Sequence, residues 1–226
     1  LSISPMALEY NEISYYVIVC DDVTELNISK DKLEEMALYD SLTGLDNRVL
    51  FNLRIERAIH RAQRSNVKTA LLFIDIDHFK AVNDSAGHEG GDAVLKTIAR
   101  RLRKHVRDND PIARISGDEF TVMLGDIQSY NDASKVAAKI LEAFQEPIRI
   151  HSQEIFVTAS IGISVTPDDS MEMDQLIRNA DLAMYQAKQK GRNNYQFYSK
   201  DMNKEVKRKN LIEKELKQAL DQDDLF

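Results

Sequence analysis

Asp75 and Asp77 close an apolar run that starts at Thr69, and Asp118-Glu119 follow directly on Ser116-Gly117. A carboxylate at a strand end is often only a helix cap, and carboxylates in turns are usually solvated. Taken together they offer a different chemistry. If strand and hairpin lie side by side, Asp75 and Asp118 converge on one cation, and magnesium is held by one or two carboxylates plus water and substrate phosphates. A basic set complements them. Lys188 and Arg192 stand one turn apart near a helix C-terminus, where the dipole favours cations and where both can reach a triphosphate. Asn83, Asp84, Gly87, His88, Gly91 and Asp92 surround a helix start. Turn and cap duty is the plain alternative for them. The chemical alternative is guanine: a carboxylate accepts from N1–H and the exocyclic amine, and an amide donates to O6 or N7. Arg107 and Asp110, three apart, read on their own as a surface ion pair.

These residues need elements to hold them. Residues 14–20 are β-branched and aromatic and read as a strand, followed by a short charged helix over about 29–39 with Leu26 and Leu33 seven apart. An amphipathic helix covers about 48–64, and 69–75 is a buried central strand. A short helical stretch follows from Phe79, then a second helix begins near Gly87, Gly90 and Gly91. Ile112–Ile115 and Phe120–Leu124 form a tight hairpin about Ser116-Gly117. A helix over 133–144 comes next. A short strand at 148–150 then leads into one long strand over 154–164. Residues 176–191 are helical, capped by a left-handed Gly191, and 195–198 make a last strand. Residues 200–220 read as a charged helix with Ile212, Leu216 and Leu220 four apart. The fold class expected is α+β, a central sheet with helices packed on it.

Composition narrows the partners. The chain has 226 residues, a formal net charge of −7 and 43% hydrophobic residues. That suits a globular domain and speaks against a nucleic-acid polymer as ligand, which calls for a broad basic face. No apolar run reaches the roughly 18 residues of a membrane span, and no signal peptide opens the chain. Cys20 stands alone, so a reducing, cytoplasmic setting is expected, with room for membrane attachment outside this segment. The chain starts at Leu1 and closes at Phe226 in mid-pattern, as expected of a piece of a longer protein.

Taken in order, the motifs resemble the GGDEF family of diguanylate cyclases. The match runs through Asp40-Ser-Leu-Thr-Gly-Leu-Asp-Asn-Arg48, Phe73-Ile-Asp-Ile-Asp-His-Phe-Lys80, Asn83-Asp84 to Gly91-Asp92, Arg114-Ile-Ser-Gly-Asp-Glu-Phe120, and Ala183-Met-Tyr185 to Gly191-Arg192-Asn193. The family's fold is a mostly antiparallel sheet flanked by helices, like the nucleotide cyclase core and the polymerase palm. The resemblance assigns Asp75, Asp118 and the Ile76 carbonyl to Mg2+ or Mn2+. Glu119 goes to the metal or to activation of the attacking hydroxyl. Asn83 and Asp92 would read guanine, while Lys188, Arg192 and Lys80 would meet phosphates beside the Ser116-Gly117 turn. Arg107 and Asp110 match the RxxD product-inhibition site.

The resemblance implies condensation of two GTP to cyclic di-GMP and pyrophosphate by a homodimer that brings two domains face to face. The alternatives are a weakly catalytic GTP-binding module that regulates an attached EAL phosphodiesterase, and a cyclic di-GMP receptor. Residues 1–38 resemble the end of a PAS sensor plus a stalk helix, 39–199 the GGDEF domain, and 200–226 a helical linker toward an EAL domain. The signature here reads Ser-Gly-Asp-Glu-Phe, with Ser116 in place of the usual first glycine. If that position must be left-handed, a non-glycine residue there costs roughly 1–2 kcal/mol. Falling wholly on the transition state, this slows the reaction on the order of ten- to thirty-fold.

Overall fold

A computed structural model of the chain describes residues 2–10, 13–22, 24–65, 67–150 and 153–202. The charged helix expected around Ile212, Leu216 and Leu220 lies outside them. Two compact units divide the chain, Leu1–Tyr39 and Asp40–Phe226. In the first, β1 (Ser2–Tyr10) pairs antiparallel with β2 (Ile13–Asp21), and α1 (Thr24–Leu38) follows. The sequence reading found β2 but not β1, and started the helix five residues late. Leu26, Leu33 and Met36 of α1 are exposed.

In the second unit, α2 (Arg48–Ser65) leads to β3 (Lys68–Ile76), which is buried over eight of its nine residues. Such continuous burial explains why the strand reads as an unbroken apolar run. Next come α3 (Phe79–His105), β4 (Ile112–Ser116), β5 (Glu119–Ile127) and α4 (Tyr130–Gln145). They are followed by β6 (Ile148–Ile150), β7 (Gln153–Ile155), β8 (Ala159–Thr166), α5 (Met173–Gln189) and β9 (Asn194–Phe197). The main sheet runs β4-β5-β3-β8-β9, antiparallel except for the β8–β9 pair, where α5 is the crossover.

One long strand over 154–164 was expected; the structure divides it. β7 folds back on β6 as a separate two-stranded sheet, and only β8 joins the main sheet. The apolar content of Ile155, Phe156 and Val157 hid the break, yet Phe156 is 67% exposed.

Alternation along β3 sorts the two layers. Leu72, Ile74 and Ile76 pack with α3 and α4 through Leu95, Ile98, Ile140 and Phe144. Leu71 and Phe73 pack with α2 and α5 through Phe51, Ile55, Leu176, Ala180 and Met184. Each such large apolar side chain contributes about 1.5–3 kcal/mol when fully buried. Gly162 of β8 lets α5 approach closely: a Cβ there would lie 1.9 Å from the Ala180 carbonyl oxygen and 2.1 Å from the Met184 nitrogen. Helix α3 is broken at Gly87 (φ 72°), so the expected pair of helices is two segments joined end to end.

Candidate active site

The C-terminal end of β3 is where both layers meet. Asp75 faces α5, by the same alternation that places Phe73 there, and it pairs in register with Glu119 of β5. The Ile76 N–H donates to the Asp118 carbonyl at 3.3 Å. Acids 43 positions apart in sequence therefore lie close, Asp75 near the end of β3 and Asp118 in the turn that leads into β5, the neighbourhood that the metal reading requires. Burial raises the Asp75 carboxyl above its ordinary range; Lys188 opposes this, and the charges of Asp118 and Glu119 add to it. The Lys188 ammonium lies 2.7 Å from Asp75 Oδ2. Among the described residues no group of three or more His, Cys, Asp or Glu side chains closes around one point. The donor set expected from the resemblance, two carboxylates and a main-chain carbonyl, would suit magnesium sharing its shell with phosphate oxygens and water. Asp75, whose charge is disfavoured by burial and by the neighbouring acids in the free protein, is a fit for such a cation.

The hairpin corrects the expectation about Ser116. The residue that takes positive φ is Gly117, at 45°, while Ser116 ends β4 as the strand partner of Glu119. Glycine at the first of two loop positions is what this class of hairpin demands. The left-handed cost predicted for Ser116 therefore does not arise. Its effect is polar: the Ser116 hydroxyl donates to Glu119 Oε2 at 2.5 Å. Arg114, just upstream, donates from Nε to the Gly117 carbonyl at 2.9 Å and pairs with Asp40 at 3.2 Å. Burial alone would raise the Asp40 carboxyl, but donors from Thr43 and the Arg114 charge hold it below its ordinary value.

Of the cations, Lys188 sits on Asp75, whereas Arg192 and Lys80 are exposed and bond no other described side chain. The end of α5 is closed by a left-handed Gly191 (φ 102°), and the Arg192 N–H returns to the Ala187 carbonyl at 3.1 Å. This is the expected glycine cap, in the Schellman arrangement. Asp77, although in the acidic cluster, is not free for a metal: it accepts from Thr158, Ser160 and the Asn193 N–H.

Asn83 and Asp92 lie in the other layer, on α3. A Cβ on Gly91 would stand 1.9 Å from Asn83 Oδ1, so Asn83 lies directly against the segment that carries Asp92. The two proposed base readers are neighbours. Sequence reasoning missed Asp181 of α5. It is exposed as a residue, but protein crowds its carboxyl, which is raised by burial first and then by the Glu119 charge, with Lys188 opposing. Its spacing of seven from Lys188, which keeps one helix face, was the available signal.

Arg107 and Asp110 stand apart from these groups. The Asp110 N–H returns to the Arg107 carbonyl at 3.0 Å, and Asp110 Oδ1 accepts from the Gly125 N–H at 2.9 Å. Burial raises the Asp110 carboxyl, while the Gly125 bond and the Arg107 charge lower it. Asp110 borders a cleft of about 270 Å³ that also takes Arg54, Arg57 and Arg61 of α2 and Asp126. Those arginines are three and four apart on α2, the spacing of one helix face.

Comparison with known proteins agrees with this fold. The family described as diguanylate cyclase, GGDEF domain, matches residues 37–194. The bifunctional diguanylate cyclase/cyclic di-GMP phosphodiesterase MucR of Pseudomonas aeruginosa is 42% identical over 198 residues, 88% of this chain and 29% of MucR. The chain spans less than a third of the length of the first curated relatives that it matches. The solved GGDEF domain of TpbB from Pseudomonas aeruginosa superposes with a TM-score of 0.73 at 38% identity, covering 75% of this chain and 99% of that one. The GGDEF domain of DgcB from Caulobacter crescentus, solved in complex with c-di-GMP, gives a TM-score of 0.66 at 28% identity, covering 71% and 93%. On this sequence match and this fold, the chain belongs to the GGDEF domain family of diguanylate cyclases.

Proposed function

We propose that residues 39–199 form one half-site of a diguanylate cyclase that joins two GTP into cyclic di-GMP and releases two pyrophosphates. The observation that carries this reading is the meeting of Asp75, Asp118, Glu119 and Lys188 at the end of β3. Asp75, Asp118 and the Ile76 carbonyl would hold Mg2+ or Mn2+, which stabilises developing charge and lowers the pKa of a bound hydroxyl. Asn83 and Asp92 orient the guanine, and Lys188, Arg192 and Lys80 meet the phosphates. On binding, Lys188 exchanges its Asp75 partner for a phosphate oxygen. Glu119 serves the metal or takes the proton of the 3′-hydroxyl, which attacks the α-phosphate of the opposing GTP. Two domains must face each other, so a homodimer is part of the reaction.

The test is incubation of concentrated protein with GTP and magnesium, followed by detection of cyclic di-GMP. Product that disappears in Asp118→Ala and Glu119→Ala supports the reading. Absence of both product and GTP binding at high concentration would sink it. The bond from Ser116 to Glu119 favours a second reading, a slow GTP-binding module that regulates an attached phosphodiesterase domain, an arrangement consistent with the bifunctional MucR. Tight GTP binding without turnover would select it. The cleft beside Asp110 supports cyclic di-GMP as a feedback ligand of Arg107 and Asp110, with Arg54, Arg57 and Arg61 as added anion contacts. The PAS-like start, the EAL-directed end and a cytoplasmic setting complete the proposal; no helix among the described residues is long and apolar enough to cross a membrane.

A further inference from the structure

Asp77 is 5% exposed and is used up by three donors. Thr158 Oγ1 and Ser160 Oγ each donate to it at 2.7 Å, from the stretch where β8 begins. The third donor is the Asn193 N–H, 3.1 Å from Asp77 Oδ2. That third bond ends in an unusual piece of backbone. Gly191, Arg192 and Asn193 are successively left-handed, with φ of 102°, 62° and 48°, and two of them are not glycine. Such residues persist only where the surroundings over-determine them, and they gather at ligand clamps. Other ties hold the same loop: Gln145 Nε2 donates to Asn193 Oδ1 at 3.1 Å, and Asn194 Nδ2 donates to the Arg192 carbonyl at 2.8 Å. Of the bonds described here, the one from Asn193 to Asp77 runs straight to the end of β3.

Asp77 follows directly on β3, two residues beyond Asp75. Asp75 holds Lys188 directly. Asp77 holds the main chain one residue beyond Arg192, whose own side chain is exposed and bonds no other described side chain. We propose that Asp77 is a positioning residue: by gripping the Asn193 N–H it fixes the left-handed loop and so directs Arg192 toward the terminal phosphates of the nucleotide. This rests on the GTP reading above. An asparagine at 77 has one accepting oxygen and an amide that clashes with donors, so the loop or the β8 side must let go.

The experiment is calorimetric titration of the full chain with GTP and, separately, with GMP, in magnesium. Asp77→Asn is expected to weaken GTP on the order of tenfold, the scale of a hydrogen bond to a charged group, and to leave GMP unchanged. In the Arg192→Ala background, Asp77→Asn should then weaken GTP no further. Gln145→Ala, an exposed change that relaxes Asn193 without disturbing the buried acid, should give a smaller loss in the same direction. A folded Asp77→Asn that binds GTP like the parent, an equal loss for GMP, or an additive double variant overturns the proposal. If Asp77→Asn does not fold, Gln145→Ala decides: unchanged GTP affinity overturns it. If Arg192→Ala itself leaves GTP affinity unchanged, the phosphate assignment underneath fails, and the positioning role with it.

Discussion

Ser116 differs from the family's usual glycine without meeting the backbone demand that makes glycine valuable, because that demand falls on Gly117. What the hydroxyl does is hold Glu119 Oε2. Ser116→Gly should therefore release the carboxylate and raise cyclic di-GMP turnover roughly fivefold, the worth of about 1 kcal/mol of hydrogen bond. Initial rates of product formation at fixed protein concentration check this, and a lower rate would contradict it. Asp75 gives a pH signature. Its carboxyl is raised by burial, so in the metal-free protein its protonated form favours folding, and that contribution fades as pH rises through the raised value. Cation binding has the opposite sign, since only the carboxylate binds. The gain in melting temperature from magnesium plus GTP should be full in alkaline buffer and decline on acidification at a higher pH than an ordinary aspartate would give. Asp75→Asn should abolish the gain at every pH.

At the scale of elements, the site depends on α5 being seated tightly enough for Lys188 to reach β3. Gly162 provides the seat, since any Cβ there collides with helix backbone and not with a movable side chain. Gly162→Ala should cost about 3 kcal/mol or more, measured by urea denaturation, and should weaken GTP binding along with stability. Much of this framework was legible in the chain. The burial of β3 appears as an unbroken apolar run, the 116–119 hairpin as a glycine turn, and the end of α5 as Gly191. Asp75 and Asp118 could be suspected because they flank those signals. Other features had no local signature. β1 and the split between β7 and β8 depend on pairing partners, and an apolar run such as Ile155 to Val157 does not say which sheet it will join. The role of Asp77 was hidden for a similar reason: Thr158, Ser160 and Asn193 are more than 80 residues away from it in sequence.

For the whole molecule, the proposed base readers Asn83 and Asp92 lie on α3, on one face of the sheet, and Lys188 on α5, on the other. The Arg107–Asp110 turn borders a separate cleft beside α2. Feedback should therefore be separable from chemistry. Arg57→Ala is expected to relieve product inhibition, raising the concentration of cyclic di-GMP needed for half-inhibition on the order of tenfold for a lost ionic hydrogen bond, while the uninhibited rate holds. Rate measurements against added cyclic di-GMP would show it, and a matched fall in the uninhibited rate would count against the division. The order β4-β5-β3-β8-β9 has a practical consequence as well. Every proposed acid lies before residue 120 and both α5-end cations after residue 187, yet β3 must zip onto β8 to bring them together. Cutting the gene near the turn between β5 and α4 would yield two inert polypeptides, each with half of the chemistry. Fused to a pair of interacting proteins, such fragments would report that association by making a diffusible signal.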